Sequence, residues 1–251
     1  MEIGVVFRPD LAPEELLGVV GDAEAAGVSQ LWLWEDCFLH GGVATAASAL
    51  ARSENLQVGM GLFPVPLRNP AVTAMEFASL ARLFPGRFLP VLGHGVLDWM
   101  GQVGARAESP MTLLRESTLA VRDLLAGETV RTDGRYVTLD DVTLDHPPAQ
   151  VPPVLVGARG RKTLQLAGEV GDGVLLDSGL SPEQVADALA TVALGEPGPG
   201  FRRVGYLAAP DPDAVADVVP AYGEAGLDTV VLVPPPEAPD PRPWFGAATG
   251  S

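Results

Sequence analysis

The sequence predicts an α/β protein of the (β/α)8 TIM-barrel class. Two observations carry this. One local pattern recurs three times: "AEAAGVSQLWLW" (Ala23 to Trp34), "LAGEVGDGVLLD" (Leu166 to Asp177) and "YGEAGLDTVVLV" (Tyr222 to Val233). Each joins a helical end, a glycine suited to the left-handed position after a helix, a polar turn, and an apolar run fit for a strand buried on both faces. Second, eight such strands can be placed along the 251 residues, and helix alternating with buried strand implies parallel β/α units. A doubly wound sheet is the alternative, but it rarely needs eight parallel strands.

The predicted strands are Ile3–Phe7, Gln30–Trp34, Leu56–Leu62, Arg87–Leu92, Val154–Gly157, Gly173–Leu176, Val204–Ala208 and Thr229–Val233. Helices fit between them at Pro13–Ala26, Val43–Arg52, Ala71–Phe84, Pro110–Ala126, Arg161–Val170, Pro182–Val192 and Pro212–Ala225. Several open on proline, whose missing N–H costs nothing in a first turn. Residues 127–153 exceed a minimal barrel, and "TDGRY" within them carries an Asp-Gly turn between alternating residues. A β-hairpin excursion after the fourth helix is therefore expected. The tail "PPPEAPDPRPW" is too proline-rich for a regular last helix. No linker divides the chain, so residues 1–251 are read as a single barrel domain.

Composition narrows the function. The net charge of -16 disfavours nucleic acid and anionic membranes, whose binding depends on Lys and Arg. No apolar run reaches the ~18 residues of a membrane span. "MEIGVVFRPD" has no basic, apolar leader pattern. A single cysteine rules out an internal disulfide and a multi-cysteine zinc site. A cytoplasmic protein fits these readings. There is no G-x-S-x-G, no H-E-x-x-H and no histidine cluster, so serine and zinc hydrolases lack support and no metal site is expected.

In this barrel class the site lies at the C-terminal ends of the strands. "GARGRKT" follows the fifth strand. Its Gly157, Ala158, Arg159, Gly160, Arg161 and Lys162 combine a tight turn, a helix start and three cations, Lys162 being the only lysine. That suits an anion such as a phosphate; a solvated basic helix start is the alternative. "GHGV" follows the fourth strand, and Gly93, His94, Gly95 and Val96 let a flat ligand approach the backbone. A tight turn with a packed histidine is the alternative there. "GLFPVPLR" ends the third strand in a rigid loop, whose Arg68 reaches an anion or pairs on the surface. The second strand ends in Glu35, Asp36, Cys37 and His40. Asp36 can accept hydrogen bonds from a cofactor or hold a proton, or simply cap a helix; Cys37 is otherwise an inert thiol. Phe7, Trp34 and Trp99 are apolar candidates for a substrate wall.

In this order, these segments resemble the luciferase-like monooxygenase superfamily, in particular its branch that uses a deazaflavin, coenzyme F420. "LRNPAVTAMEFASLARLFPGRFLPVLGHG" is similar to its most recognisable block, "LWLWEDCF" to its aromatic second strand, and "PPVLVGARGRKTLQLAGEVGDGVLLD" to its phosphate loop. The resemblance implies a (β/α)8 barrel, usually dimeric, with FMN or the deazaflavin at the barrel mouth. By position, Asp36 would contact the cofactor. Gly61, Leu62, Phe63 and Pro64 would form a bulge behind its ring, where the family often has a non-proline cis peptide. Gly93, His94, Gly95 and Val96 would line it, and Gly157 to Lys162 would take its phosphate.

Two positions depart from the family pattern. Cys37 stands where sugar-oxidising members carry a catalytic histidine, and Val96 where they carry an acid. A sugar dehydrogenase is therefore not expected, and Asp36, Cys37, His40 and His94 are the candidates for proton transfer. The long excursion late in the family's barrel is missing, which leaves the site open or covered by a partner copy. The resemblance implies an oxidoreductase moving a hydride between coenzyme F420 and a small organic substrate. An FMN-dependent monooxygenase and a non-catalytic flavin-binding barrel are the alternatives.

Overall fold

In chain order the strands are β1 (Glu2–Val6), β2 (Gln30–Leu33), β3 (Gln57–Pro64), β4 (Phe88–Gly93), β5 (Val130–Asp133), β6 (Thr138–Val142), β7 (Leu155–Ala158), β8 (Gly173–Leu176), β9 (Arg202–Ala208) and β10 (Thr229–Val233). In this computed structural model, which describes residues 1–250, eight of them close into a parallel barrel in the order β1-β10-β9-β8-β7-β4-β3-β2. The sequence-predicted barrel is therefore the observed one. The ladder between β4 and β7 is the shortest, with only Val91 opposite Leu155 and Leu92 opposite Val156.

The run "LWLW" shows why the strands are apolar throughout. Leu31 and Leu33 pack outward with helix residues such as Val19 and Ala46. Trp32 packs inside the barrel with Val6, Val91, Leu155 and Val231, and Trp34 sits above it on the same inner face. Two glycines admit the large Trp32 ring: a Cβ at Gly59 would stand 2.3 Å from it and one at Gly4 2.9 Å. Trp32 Nε1 donates to Gln30 Oε1 at 3.0 Å, which satisfies the buried indole.

The helical layer comprises α1 (Leu16–Ala26), α2 (Gly42–Arg52), α3 (Pro70–Leu83), α4 (Leu97–Gln102), α5 (Pro110–Leu125), α6 (Arg161–Val170), α7 (Pro182–Ala193), α8 (Val215–Glu224) and α9 (Phe245–Thr249). Local chemistry sets the ends. The Asn69 side chain accepts from Ala71 N at 2.9 Å and caps α3, with Pro70 in the first turn. Ser181 and Gln184 form a capping box on α7. Gly27 after α1 is left-handed, φ 79°, as the recurring pattern predicts. Gly171 after α6 is extended instead, φ -96°. Crowding holds it free of a side chain there: a Cβ would lie 2.9 Å from the Ala167 carbonyl oxygen.

The expected hairpin is present as β5 and β6, paired antiparallel. The Glu116 carboxylate on α5 accepts the backbone N–H groups of Arg135, Tyr136 and Val137 in its turn, at 2.9, 2.8 and 3.0 Å. Two elements differ from expectation. The short helix α4 occupies the loop after β4. The proline-rich tail does end in a helix, α9, because Trp244 and Phe245 are buried and Trp244 Nε1 donates to the Pro210 carbonyl at 2.7 Å. Among the described residues no helix is long and apolar enough to cross a membrane.

Candidate active site

A cavity of about 420 Å³ opens at the C-terminal ends of the strands, where the barrel class places its chemistry. Trp34, Glu35 and Asp36 reach it from the end of β2, and Gly61, Leu62 and Pro64 from β3. His94, Gly95, Val96 and Trp99 come from the end of β4 and from α4. The β7–α6 turn contributes Gly157, Ala158, Arg159, Gly160 and Thr163. The far wall is Leu175, Leu176, Asp177, Ser178 and Tyr206.

The bulge on β3 is built from its neighbours. Its pairing with β4 shifts register between Met60 and Phe63, and the Gly61–Leu62 peptide is cis. Leu62 lies over two glycines: a Cβ at Gly93 would fall 2.4 Å from its side chain and one at Gly157 2.6 Å. These two glycines thus seat Leu62 at the cavity wall. Gly95 has φ 68°, and a Cβ there would lie 2.8 Å from Pro64, so geometry demands glycine at this position. The sequence left open whether the glycines after β4 serve a ligand or a tight turn; Gly95 makes the turn and Gly93 makes room for Leu62.

Tyr206, from the inner face of β9, ties two walls together. Its hydroxyl accepts from Trp34 Nε1 at 2.8 Å and donates to the Gly61 carbonyl at 3.0 Å. The residue is half-buried and lines the cavity. Burial, with Asp36 and Asp177 adding repulsion against a phenolate, pushes its pKa far above the ordinary phenol value, so it is a neutral donor. A Cβ on Gly61 would stand 2.3 Å from this hydroxyl.

The ionisable groups differ in their surroundings. Glu35 is held by Arg68 through two hydrogen bonds, one of 2.6 Å, and accepts Gly42 N at the start of α2 at 3.2 Å. Arg68 also approaches Glu76 on α3 at 3.3 Å and lies over the Phe63 ring. It is therefore an internal partner of Glu35. Arg8 lies over Trp34, binds Asp10 at 2.8 Å and donates to the Pro234 carbonyl at 3.3 Å.

Asp36 makes no side-chain hydrogen bond among the described residues. Burial raises its pKa above the ordinary carboxyl value; the Arg8 charge opposes this and Asp10 reinforces it. The fold thus binds a proton at Asp36 more tightly than the unfolded chain does. The penalty for ionising it is absent well below the ordinary carboxyl range and is fully present at neutral pH. Asp36→Asn is accordingly expected to raise the melting temperature at pH 7, with the gain vanishing near pH 3, below the ordinary value of about 3.9. Equal melting temperatures for variant and parent at pH 7 would sink this assignment.

His94 Nε2 lies 3.3 Å from Thr163 Oγ1 on α6, while Nδ1 is buried without a hydrogen-bond partner. Burial pushes its pKa below the usual histidine value, and the nearby Pro110 backbone opposes this without closing a hydrogen bond to Nδ1. Helix α6 begins at Gly160 with no side-chain cap, so its first-turn N–H groups face outward. Arg159 beside it pairs with Asp177 at 3.3 Å, and its side chain is 87% exposed.

Not every candidate reaches the cavity. Asp36, Trp34, Gly61, Leu62, Pro64, His94, Gly95, Val96, Trp99, Gly157, Ala158, Arg159 and Gly160 line it together. Phe63 points away, into a cluster with Phe77 and Phe88. Gly93 is buried beneath Leu62. Arg161 opens onto a neighbouring depression, and Lys162 is exposed beyond the lining. Phe7 is buried and stacks on His40 with centroids 6.1 Å apart, and neither lines the cavity. Cys37 is also outside it; burial and the charges of Glu35 and Asp36 push its thiol pKa up, so it is not a thiolate. The Cys37–Phe38 peptide is cis. Thr163, Asp177, Ser178 and Tyr206 were not anticipated. Asp177 directly follows the sixth predicted strand and was within reach of the strand-end rule, whereas Tyr206 lies inside a strand and gave no such signal.

Comparison with known proteins bears on what this cavity does. Residues 1–209 match the family model described as luciferase-like monooxygenase. The chain is 32% identical over 196 residues to a 5,10-methylenetetrahydromethanopterin reductase of Methanolobus tindarius, covering 78% of this chain and 59% of that protein. It is 31% identical over 192 residues to an F420-dependent glucose-6-phosphate dehydrogenase of Microbacterium testaceum, covering 70% and 56%. The chain spans little more than half the length of these curated relatives. Among solved structures, the coenzyme F420-dependent tetrahydromethanopterin reductase of Methanopyrus kandleri superposes with TM-score 0.85 at 19% identity, covering 98% of this chain and 96% of that one. A monooxygenase from Streptomyces bottropensis superposes with TM-score 0.81, also at 19% identity, covering 98% of each. At such identities these likenesses concern the fold.

Proposed function

Because the chain belongs to the luciferase-like monooxygenase family, we propose that it is an oxidoreductase moving a hydride between coenzyme F420 and a small organic substrate. The observation that carries this reading is the meeting of the β3 bulge, His94 and the uncapped start of α6 in one cavity. These residues fit such a cofactor: an apolar platform at Leu62, a buried imidazole nitrogen without a partner, and a helix start free to take an anion. F420 is preferred to FMN because curated relatives at 30% identity and above are named for it. The monooxygenase reading with FMN draws on the description of the family model and on fold likenesses. The non-catalytic reading draws on Cys37 and Val96 at the two departing positions.

When bound, the deazaflavin supplies the hydride chemistry. The protein's part is binding, orientation and proton handling. Leu62, seated on Gly93 and Gly157, would back the flat ring system. The first-turn N–H groups of α6, with Arg159 and the nearby Arg161 and Lys162, would take the phosphate. Asp36 and His94 are the titratable groups of the cavity suited to hold a proton at its reacting edge. Cys37 and His40 lie off the cavity and are given no part in the transfer. A cytoplasmic location and a homodimer belong to the same proposal. Helix α3 leaves Val72, Met75 and Leu83 exposed on one face, which a second copy would cover.

Titration with oxidised F420 and with FMN, followed by fluorescence quenching, tests the cofactor assignment. Tight FMN binding without F420 binding would overturn it. Replacing Arg159, Arg161 and Lys162 together by alanine should weaken binding at least tenfold, or about 1.4 kcal/mol. The denaturation midpoint should not move, because these side chains are exposed. Unchanged affinity would put the phosphate elsewhere.

A further inference from the structure

Four Asp, Glu and Arg side chains line the cavity, and three of them are matched within the protein. Glu35 is neutralised by Arg68, and Arg159 by Asp177. Asp36 is the exception. It has no hydrogen-bond partner among the described residues, and the nearest cation, Arg8, is engaged by Asp10 and the Pro234 carbonyl. Asp and Glu therefore outnumber Arg and Lys three to one in the lining, and the one arginine sits at the α6 start assigned to the cofactor phosphate. The rest of the lining is mainly apolar, with Trp34, Leu62, Val96, Trp99 and the Tyr206 ring, and adds the polar side chains of His94, Thr163 and Ser178. The approach is apolar as well. Phe38 is 65% exposed and Leu39 58%, two and three residues after Asp36, and Leu97 is 45% exposed beside Val96.

We infer that the substrate of this cavity is an uncharged, mainly apolar molecule and that carboxylates and phosphate esters are rejected. The inference rests on the hydride-transfer reading of the site. An anion entering here gives up hydration, finds no unassigned cation, and meets the carboxylate of Asp36 at close range. The net charge of -16 adds a weaker, salt-screened repulsion on approach. An apolar molecule loses nothing comparable and gains contact with two indoles. Asp36 then serves as one of a few hydrogen-bonding points in mainly apolar surroundings, the usual arrangement by which a pocket orients a small ligand.

The test uses two probes of one shape and different charge, cyclohexanecarboxamide and cyclohexanecarboxylate, with glucose 6-phosphate as a phosphate ester. Each is titrated into the full chain with and without saturating F420. Tryptophan emission is the readout, because Trp34 and Trp99 line the cavity. This separates the two proposals: failure of F420 to bind overturns the cofactor reading, while the probe series on the free protein still tests the charge rule. The carboxamide is expected to bind at least tenfold more tightly than the carboxylate. Asp36→Asn should narrow that gap at least threefold by strengthening carboxylate binding. Carboxylate or glucose 6-phosphate binding as tight as the carboxamide overturns the inference. So does a gap unchanged in Asp36→Asn, or the absence of saturable carboxamide binding in both forms.

Discussion

Arg68→Ala is expected to lower the stability of the fold by about 3 kcal/mol, or roughly 6 to 12 °C in melting temperature for a domain of this size. The reason is what remains after the guanidinium is removed. The Glu35 side chain is only 10% exposed and that of Arg68 19%, so the pair is largely withdrawn from water. Glu35 keeps one hydrogen bond, from Gly42 N, and Glu76 on α3 loses the cation that stood between the two carboxylates. Burying an unpaired charge costs far more than losing a surface ion pair. The variant also loses the stacking of Arg68 on Phe63. Denaturant unfolding at pH 7 reads the loss. Arg68→Ala within 0.5 kcal/mol of the parent, well inside the range of about 3–5 expected for a broken buried pair, would show that this cluster is solvated in solution.

Tyr206→Phe is expected to cost about 2 kcal/mol and to weaken cofactor binding about tenfold. Phenylalanine keeps the ring against Trp32 and Trp34. It removes one hydroxyl that satisfies both the Trp34 indole N–H and the Gly61 carbonyl. Leaving a buried donor and acceptor unmatched costs about 1–3 kcal/mol each, reduced here because the cavity lets water approach. The effect on the ligand follows from position, since Gly61 is joined through a cis peptide to Leu62 of the proposed platform and Trp34 lines the same cavity. Trp34→Phe should give a similar weakening, and the double variant little more than either single one, because both cut the same chain. Additive losses in the double variant would separate Tyr206 from Trp34.

The barrel was legible because its signal is repetitive. Most barrel strands are apolar across both faces, and the turns before β2, β8 and β10 carry glycine and a polar residue. Helix α4 escaped because six residues beside two glycines have no period to read. Helix α9 escaped because prolines hid the burial of Trp244 and Phe245. At the mouth, the strand-end rule led directly to Asp36, His94 and Arg159, which meet in the cavity although they are far apart in the chain. It could not reveal Tyr206, whose importance lies in a hydrogen bond to a backbone carbonyl 145 residues away. Nor could it show that Gly93 makes room for a leucine, since a missing side chain looks the same from sequence whether a ligand or a neighbour fills the space.

The two-pair ladder between β4 and β7 gives the barrel a place to breathe. Only two residue pairs are in register there, fewer than at any other seam of the barrel, so local opening at this seam is expected to cost less than at the longer ladders. Everything inserted at that seam, from α4 through the hairpin, is carried by it, including Val96 and Trp99 on the cavity wall. Slow amide exchange should therefore fail first at Val91, Leu92, Leu155 and Val156. Passage of a molecule in and out of the mouth would then be timed by fluctuation of one seam and not by loosening of the whole fold.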